Sequence, residues 1–228
     1  MLLLPDFKLS CVLFDLDGTL LDTAPDLILC LNKALEIHNL PVPDPESIKP
    51  VISLGAKAMI AESQMTAIDE EEQAFILKTL HDLYQDNIAV HSAFFAGMAE
   101  TLDLIETKGL KWGVVTNKLE RFTRPLMAAF KLTSRASCII SGDTAEKPKP
   151  YPEPMLAACR QAGVKSEECV YIGDAIHDIA AGKKAGMKTM AALYGYLKPC
   201  DEPASWGADA LIESPLQIYD WIGSLSCR

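Results

Sequence analysis

The sequence lacks two features that would assign it to common functional classes. It has no excess of positive charge, since 21 Lys and Arg residues face 31 Asp and Glu residues and the net charge is −10. It also has no long apolar run, because the apolar segment Met1–Pro5 is short and polar residues follow at once. We therefore expect neither a nucleic-acid-binding protein, nor a membrane protein, nor a cleaved signal peptide. An anionic substrate would have to be held by local cations.

The cysteines also lack an ordered pattern. There are seven, an odd number, and they are scattered along the chain without a Cys-x-x-Cys pair. This usage is atypical of a disulfide framework or a zinc site and typical of reduced thiols. The sequence thus predicts free cysteines and a cytoplasmic location.

Short apolar runs predict the strands of a parallel sheet. Five or six of them lack polar alternation, which is typical of strands buried on both faces. The runs are Ser10–Phe14, Lys111–Val115, Cys138–Ile140, Cys169–Ile172, Lys188–Ala192 and Ala210–Ile212. Most are separated by helical patterns, namely Met98–Lys108, Arg121–Phe130, Glu153–Ala162 and Asp178–Ala185. The alternation predicts an α/β fold, a Rossmann-like parallel sheet with helices on both faces.

The interval from about Pro25 to Phe95 departs from this alternation. It contains three helical patterns and no convincing strand: Pro25–His38, Pro45–Gln64 and Glu70–Ile88. A crossover between parallel strands needs only about a dozen residues. We therefore interpret residues 21–95 as an inserted helical cap domain, and residues 1–20 and 96–228 as the α/β core. The alternative is ordinary crossover structure on the face of the sheet.

Polar residues follow four of the predicted strands, at the sheet edge where α/β proteins bind ligands. Asp15 and Asp17 follow the first strand and precede Gly18. Residues i and i+2 of a strand share a face, so both acids would leave the strand together. A site that binds a divalent cation and forms a covalent bond to phosphorus needs such a pair. The later groups are Thr116-Asn117-Lys118, Lys147-Pro148-Lys149-Pro150 and Gly173-Asp174-Ala175-Ile176-His177-Asp178.

Together these groups resemble the four motifs of haloacid-dehalogenase-superfamily phosphatases. The matching residues are Asp15-x-Asp17-Gly18-Thr19, Thr116-Asn117, Lys149-Pro150 and Gly173-Asp174-x-x-x-Asp178. They stand in the family's order and span nearly the whole chain. The resemblance implies the α/β core of that family and a hydrolase that acts on a small phosphorylated metabolite.

The helical insert resembles the cap of the branch that includes phosphoglycolate phosphatases, which is the nearest named resemblance. Another group of that branch, the N-acetylmuramic acid 6-phosphate phosphatases, is resembled by Trp112–Lys118, Tyr194–Tyr196 and Trp206–Asp209. The two substrates remain alternatives at this point. A helical lid favours a small organic phosphate over a protein substrate, because the lid can close over a small molecule and exclude water.

The resemblance implies a role for each residue around the phosphate. Asp15 would attack phosphorus and form an aspartyl-phosphate. Asp17 would protonate the leaving oxygen and later deprotonate the attacking water. Lys149 would neutralise the nucleophile and the phosphoryl oxygens, while Thr116 and Asn117 would bind phosphate.

The resemblance also implies an Mg²⁺ ion. Its ligands would be the side chains of Asp15 and Asp174 and the backbone carbonyl of Asp17, since Mg²⁺ prefers oxygen ligands. Asp178 would lie behind them, where it would hold a metal-bound water or orient Lys149.

Several residues stay ambiguous in the sequence. Lys149 is preferred to Lys147 because Lys149-Pro150-Tyr151-Pro152-Glu153-Pro154 matches the family pattern Lys-Pro-x-Pro-acid-Pro. Lys118 and Arg121 either flank the following helix or face the substrate. In the insert, Ser53–Met59 resembles a segment that contacts substrates, where Lys57 meets a second anionic group or lies in solvent.

Three other functional classes are also possible. A dehalogenase is disfavoured because Asp17 fills a position that dehalogenases typically leave without an acid. A phosphosugar mutase shares all four motifs. A non-catalytic binding module is disfavoured because every predicted chemical position is filled. The oligomeric state is left open between monomer and dimer.

Overall fold

The strands of the protein form one large parallel sheet and one small antiparallel pair. The computed structural model describes residues 7–63 and 68–225. In chain order the strands are β1 (Cys11–Phe14), β2 (Leu21–Asp22), β3 (Ala93–Phe94), β4 (Lys111–Val115), β5 (Cys138–Ile140), β6 (Cys169–Gly173), β7 (Lys188–Ala192) and β8 (Ala210–Ile212). The six-stranded sheet has the order β5-β4-β1-β6-β7-β8, and all of its pairs are parallel.

Helices connect the strands and cover the sheet. They are α1 (Ala24–Ile37), α2 (Pro45–Ile48), α3 (Ala56–Ser63), α4 (Glu70–Asp86), α5 (Met98–Thr107), α6 (Glu120–Ala129), α7 (Glu153–Ala162), α8 (Ile176–Lys184) and α9 (Pro215–Ser224). Shorter 3-10 segments cover Lys49–Leu54, Ser166–Glu168 and Pro203–Ser205. The predicted α/β class is confirmed, and so are all six predicted strands of the large sheet.

The central strand shows why both faces of the sheet are covered. Val12 and Phe14 of β1 belong to one buried apolar cluster, which also contains Trp221 of α9. Cys11 and Leu13 belong to another, which is built with α7 and α8. Successive side chains of a strand point to opposite faces, so an uninterrupted apolar run needs apolar partners on both sides.

The predicted insert has an apolar cluster of its own. The cluster joins α1 to α3, α4 and the 3-10 segment Lys49–Leu54. It also reaches Phe122 of α6 and Tyr196 beyond β7. The two connections to the insert pair as β2 and β3. Asp26 of α1 ties them further, because its carboxylate accepts the backbone N–H groups of His91 and Ser92, both at 2.8 Å. The boundaries 21 and 95 stay a prediction.

Three details of the predicted elements differ from the structure. The single helix expected over Pro45–Gln64 is wrong, because α2, the 3-10 segment and α3 replace it. Pro50 removes a backbone donor there, and Gly55 has a φ of +92°, which an α-helix does not accommodate. Gln64 lies outside the described residues. Strands β2 and β3 were not predicted because two residues carry no periodicity, and α9 was not predicted either.

Two expectations concern cysteines and membrane spans. The six cysteines in the described ranges are all free. Among residues 7–63 and 68–225, no helix is both long and apolar enough to cross a bilayer. Cys227 and Met1–Pro5 lie outside these ranges.

Candidate active site

The residues predicted for the site meet at the carboxyl edge of the large sheet. Asp15 directly follows β1, and its N–H still donates to the Ile172 carbonyl of β6 at 2.8 Å. Thr116 directly follows β4, and its N–H donates to the Ile140 carbonyl of β5 at 2.9 Å. These hydrogen bonds extend the parallel ladders by one residue and fix where the side chains begin. One cavity of about 210 Å³ is lined by Asp15, Asp17, Thr116, Asn117 and Lys149.

Three carboxylates are gathered at the base of this site. Oxygen atoms of Asp15, Asp174 and Asp178 all lie within 4.8 Å of one another, and all three residues are buried. Burial and the charge of Asp178 raise the pKa of Asp15 to about 6, although the nearby Lys149 lowers it. Burial and the charges of the other two acids raise the pKa of Asp174 to about 8. Desolvation and like charge both disfavour the ionised forms.

Lys149 is the cation inside this cluster. Its side chain is fully buried, with Nζ 2.8 Å from Asp15 Oδ1 and 2.7 Å from Asp178 Oδ1. Burial alone would lower the pKa of Lys149, but the two acids outweigh it and raise the pKa to about 12. Lys147 is exposed by contrast, and its Nζ lies 3.8 Å from Glu153 Oε1. The structure therefore brings Lys149 to the acids and leaves Lys147 at the surface.

Asn117 holds the backbone of Lys149 in place. Its Oδ1 accepts the Lys149 N–H at 2.9 Å, and its Nδ2 donates to the Lys149 carbonyl at 3.1 Å. The Asn117 side chain thus links two loops of the site. That the backbone N–H of Asn117 lies near a bound phosphate stays a prediction.

Asp178 is engaged on both of its oxygens. Oδ1 accepts Lys149 Nζ and lies 3.1 Å from the Tyr171 hydroxyl, while Oδ2 accepts the Ala175 N–H at 3.0 Å. Burial alone would raise the pKa of Asp178, but the charges of Lys149 and His177 lower it overall. This arrangement suits the expectation that Asp178 orients Lys149.

The cluster fits a divalent cation. Oδ1 of Asp15 is buried and has no hydrogen bond among the described residues, because its close approach to Lys149 Nζ lacks hydrogen-bond geometry. Three buried acids also exceed the single positive charge of Lys149. Oxygen ligands with excess negative charge suit a hard cation such as Mg²⁺. Asp15 is the acid with an oxygen that lacks a hydrogen bond, whereas both oxygens of Asp174 and both oxygens of Asp178 accept hydrogen bonds from this chain.

Two glycines make room for Asp174. Gly18 has a φ of +80°, and a Cβ there would lie 2.2 Å from Asp174 Oδ2. A Cβ on Gly195 would lie 2.3 Å from the Cβ of Asp174. Any side chain at either position would displace this carboxylate.

Asp17 has different partners from Asp15. Its side chain lies outside the three-acid cluster, and its two oxygens are 3.0 and 3.2 Å from Lys118 Nζ. Thr23 also donates its hydroxyl to Asp17, at 2.5 Å. Lys118 Nζ lies 4.5 Å from the centre of the Tyr84 ring of α4. Lys118 therefore contacts both the predicted general acid and the helical insert. The sequence signal for this role is the position of Lys118 directly after Thr116-Asn117.

Tyr196 is a residue of the site that the sequence did not assign. Its N–H donates to Asp174 Oδ2 at 2.8 Å, while its hydroxyl donates to Asp22 Oδ1 at 2.7 Å. The same hydroxyl accepts the N–H groups of Thr23 and Ala24 at 2.7 and 2.9 Å. It thus satisfies backbone donors at the start of α1, where a local side chain usually acts as cap. Tyr196 connects the acid cluster to the first helix of the insert.

Much of the cavity lining is apolar. The insert contributes Leu27, Ile52, Met59, Leu80 and Tyr84, and α6 adds Phe122. The lining therefore combines charged groups with aliphatic and aromatic surface. The arrangement can hold an anionic group at the acids and lysines and an organic group against the apolar residues.

We predict that Mg²⁺ stabilises the protein more at pH 8 than at pH 5. The pKa values of Asp15 and Asp174 are higher in the folded protein than in the unfolded chain, so the unfolded chain releases these protons at lower pH. The free energy of unfolding therefore falls as pH rises from about 4 to about 8. A cation bound by these carboxylates opposes that loss. Thermal unfolding with Mg²⁺ or with EDTA, at both pH values, measures the effect. An equal Tm with and without Mg²⁺ at pH 8 would contradict it.

Comparisons with known proteins agree with this geometry. A family model described as haloacid dehalogenase-like hydrolase matches residues 12–192. An N-acetylmuramic acid 6-phosphate phosphatase of Pseudomonas putida is 43% identical over 222 residues, covering 96% of this chain and 99% of the relative. A phosphoglycolate phosphatase of Xylella fastidiosa is 40% identical over 207 residues, covering 90% and 89%.

A solved structure is similar over nearly the whole chain. The crystal structure of a predicted phosphoglycolate phosphatase from Haemophilus somnus has a TM-score of 0.84 and 27% sequence identity. The match covers 94% of this chain and 97% of that chain. The likeness therefore includes the helical insert as well as the sheet.

Proposed function

The chain belongs to the haloacid dehalogenase-like hydrolase family and is a phosphatase, and we propose that its substrate is N-acetylmuramic acid 6-phosphate. The observation that carries this choice is the apolar part of the cavity lining, which the insert and α6 contribute. A substrate with apolar groups of its own gains from that surface, since each buried methylene-sized group contributes about 0.8 kcal/mol. The sugar's acetamido and lactyl groups each carry a methyl. The 43% identity to a phosphatase named for this substrate supports the choice.

Phosphoglycolate is the second candidate. Its two-carbon skeleton offers little apolar surface to Leu27, Ile52 and Met59. Identity of 40% to a phosphatase named for phosphoglycolate supports it. In either case the substrate is a small phosphorylated acid, and the free cysteines support the expected cytoplasmic location.

We propose that catalysis runs in two steps on residues of this chain. An oxygen of Asp15 forms a bond to phosphorus while the ester bond breaks, and Asp17 gives its proton to the leaving oxygen. Water then attacks the phosphorus of the aspartyl-phosphate and loses a proton to Asp17, which releases phosphate and restores Asp15. Lys149 and the Thr116 hydroxyl stabilise the charge on the phosphoryl oxygens.

The proposed metal is Mg²⁺. Asp15, Asp174 and the backbone carbonyl of Asp17 would hold it, and Asp178 would position Lys149 beside them. When bound, the ion neutralises negative charge between the nucleophile and the phosphate. The Oδ1 of Asp15, which is buried and forms no hydrogen bond among the described residues, supports this assignment.

A substrate panel tests the proposal. With Mg²⁺ present, we expect kcat/KM for N-acetylmuramic acid 6-phosphate to exceed that for phosphoglycolate by about tenfold or more, which corresponds to about 1.4 kcal/mol of additional transition-state binding. The reverse order would favour phosphoglycolate instead. A hexose phosphate that is isomerised without phosphate release would identify a mutase. Activity that persists in EDTA would exclude the metal.

A further inference from the structure

We propose that Arg121 and His81 form a subsite for the carboxylate of the substrate, in the depression that shares His81 with the catalytic cavity. The inference rests on the proposed function and names how the second charged group of the substrate is recognised. Neither residue belongs to the four motifs.

His81 lines two cavities of the protein. His81 of α4 lines the catalytic cavity together with Asp15 and Lys149. It also lines a second, more open depression of about 520 Å³, whose other residues include Lys57, Gln73 and Arg121. The two spaces therefore share His81 as a lining residue, and the hydrogen bond from Arg121 to His81 places the guanidinium next to the catalytic cavity. In the proposed pose, a substrate held by its phosphate at Lys149 extends past His81 toward Arg121.

Arg121 is one of the cations that line the second depression. In the described ranges Arg121 and Lys57 form no ion pair. The neighbouring cations do: Lys78 lies 2.6 Å from Asp82, and Arg124 lies 2.5 Å from Glu120. Arg121 thus offers a positive charge in a depression that the acids Glu70 and Asp82 also line, and Asp82 is already paired with Lys78.

Aromatic contacts preorganise the guanidinium. Its Nη2 lies 2.8 Å from His81 Nδ1, and its Cζ lies 4.6 Å from the centre of the Phe122 ring. Because a guanidinium only donates hydrogen bonds, Nδ1 of His81 accepts and its Nε2 carries the ring proton. Burial and the charge of Arg121 lower the pKa of His81, which keeps the ring neutral. The guanidinium forms no other hydrogen bond with residues 7–63 and 68–225, so its remaining donors can bind a further acceptor.

A carboxylate is the ligand that matches this geometry. A guanidinium pairs with a planar carboxylate through two parallel hydrogen bonds. None of the three clustered acids lines the second depression, so the subsite is separated from the phosphate end. This separation suits a substrate whose carboxylate lies several bonds from its phosphate, as the lactyl group of N-acetylmuramic acid 6-phosphate does.

A pair of sugar phosphates isolates the carboxylate. N-acetylglucosamine 6-phosphate has the same sugar without the lactyl group, so we compare kcat/KM for the two substrates in each variant. In Arg121→Met the preference for the carboxylate-bearing sugar should fall by about 10- to 100-fold, mainly through KM, because a hydrogen bond between charged groups is lost. Arg121→Lys should restore part of it. Arg124→Met, on the same helix, should keep the preference of the wild type.

The outcomes separate this inference from the proposed function. If the preference survives in Arg121→Met, or if both sugars lose activity equally, the carboxylate subsite is wrong while the substrate assignment stands. If the wild type instead hydrolyses phosphoglycolate, the proposed substrate is wrong, and phosphoglycolate compared with ethyl phosphate applies the same test to Arg121. A Tm close to that of the wild type shows that the variant folds.

Discussion

Asp15→Asn is expected to lower kcat for phosphate release by about 10⁴-fold or more, because an amide cannot form the bond to phosphorus. The fold should survive the change. Asn has nearly the shape of Asp, and the substitution removes one of three negative charges that burial already disfavours. Lys149 keeps its partner Asp178 at 2.7 Å. We therefore expect the metal-free variant to be at least as stable as the wild type at pH 8.

The measurement is phosphate release in single and multiple turnovers, with Tm recorded on the same samples. Asp103→Asn is the matched control, since that acid is exposed and pairs with Arg135, and neither residue lines the cavity. It should change neither kcat nor Tm by much. Near-normal turnover by Asp15→Asn would contradict the assignment of the nucleophile. Lost turnover with a collapsed Tm would show a structural role instead.

Lys149→Met is expected to cost about 3–5 kcal/mol of folding free energy and to remove most of the activity. Removing one partner of a buried ion pair leaves an uncompensated charge, and that penalty exceeds the net worth of the pair. Here Asp15 and Asp178 would lose their shared cation, beside the third buried acid Asp174. The loss should be smaller at pH 5, because the raised pKa values of Asp15 and Asp174 allow protons to neutralise them.

Urea unfolding at pH 5 and pH 8 measures both the cost and its pH dependence. Lys147→Met is the matched control, two residues away in the same loop. Its side chain is exposed and lies 3.8 Å from Glu153, and exposed pairs contribute about 0–1 kcal/mol. Equal effects of the two substitutions would contradict the burial argument. Equal effects would also reopen the choice between Lys147 and Lys149 as the lysine of the site.

Much of the fold could be predicted because apolar runs report burial directly. The run from Val12 to Phe14 needs cover on both faces, and only a central parallel strand provides it. The acids that follow such a strand reach the ligand-binding edge by topology alone. The helix expected over Pro45–Gln64 failed for a local reason, since Pro50 and Gly55 interrupt a pattern whose apolar spacing looks continuous.

The partners of the predicted residues could not be predicted. Lys118 contacts Asp17, which lies 101 positions earlier in the chain, and Tyr196 caps a helix that begins 172 positions earlier. Sequence spacing carries no information on such contacts, because they depend on how the insert and the sheet pack. The same holds for Arg121 and His81, which lie on α6 and α4.

By itself, the sequence determined the chemistry that this protein carries: acids, a lysine and hydroxyl donors, each placed after an apolar strand. Residue type and local periodicity suffice for that, since they set strand burial and the edge to which the loops project. Only the tertiary structure decided which lysine is buried among the acids, which carboxylate oxygen lacks a hydrogen bond, and where the apolar cavity lining and the Arg121 guanidinium lie. Those properties arise from desolvation and from contacts between segments far apart in the chain, and they exist only once the insert has packed over the edge of the sheet.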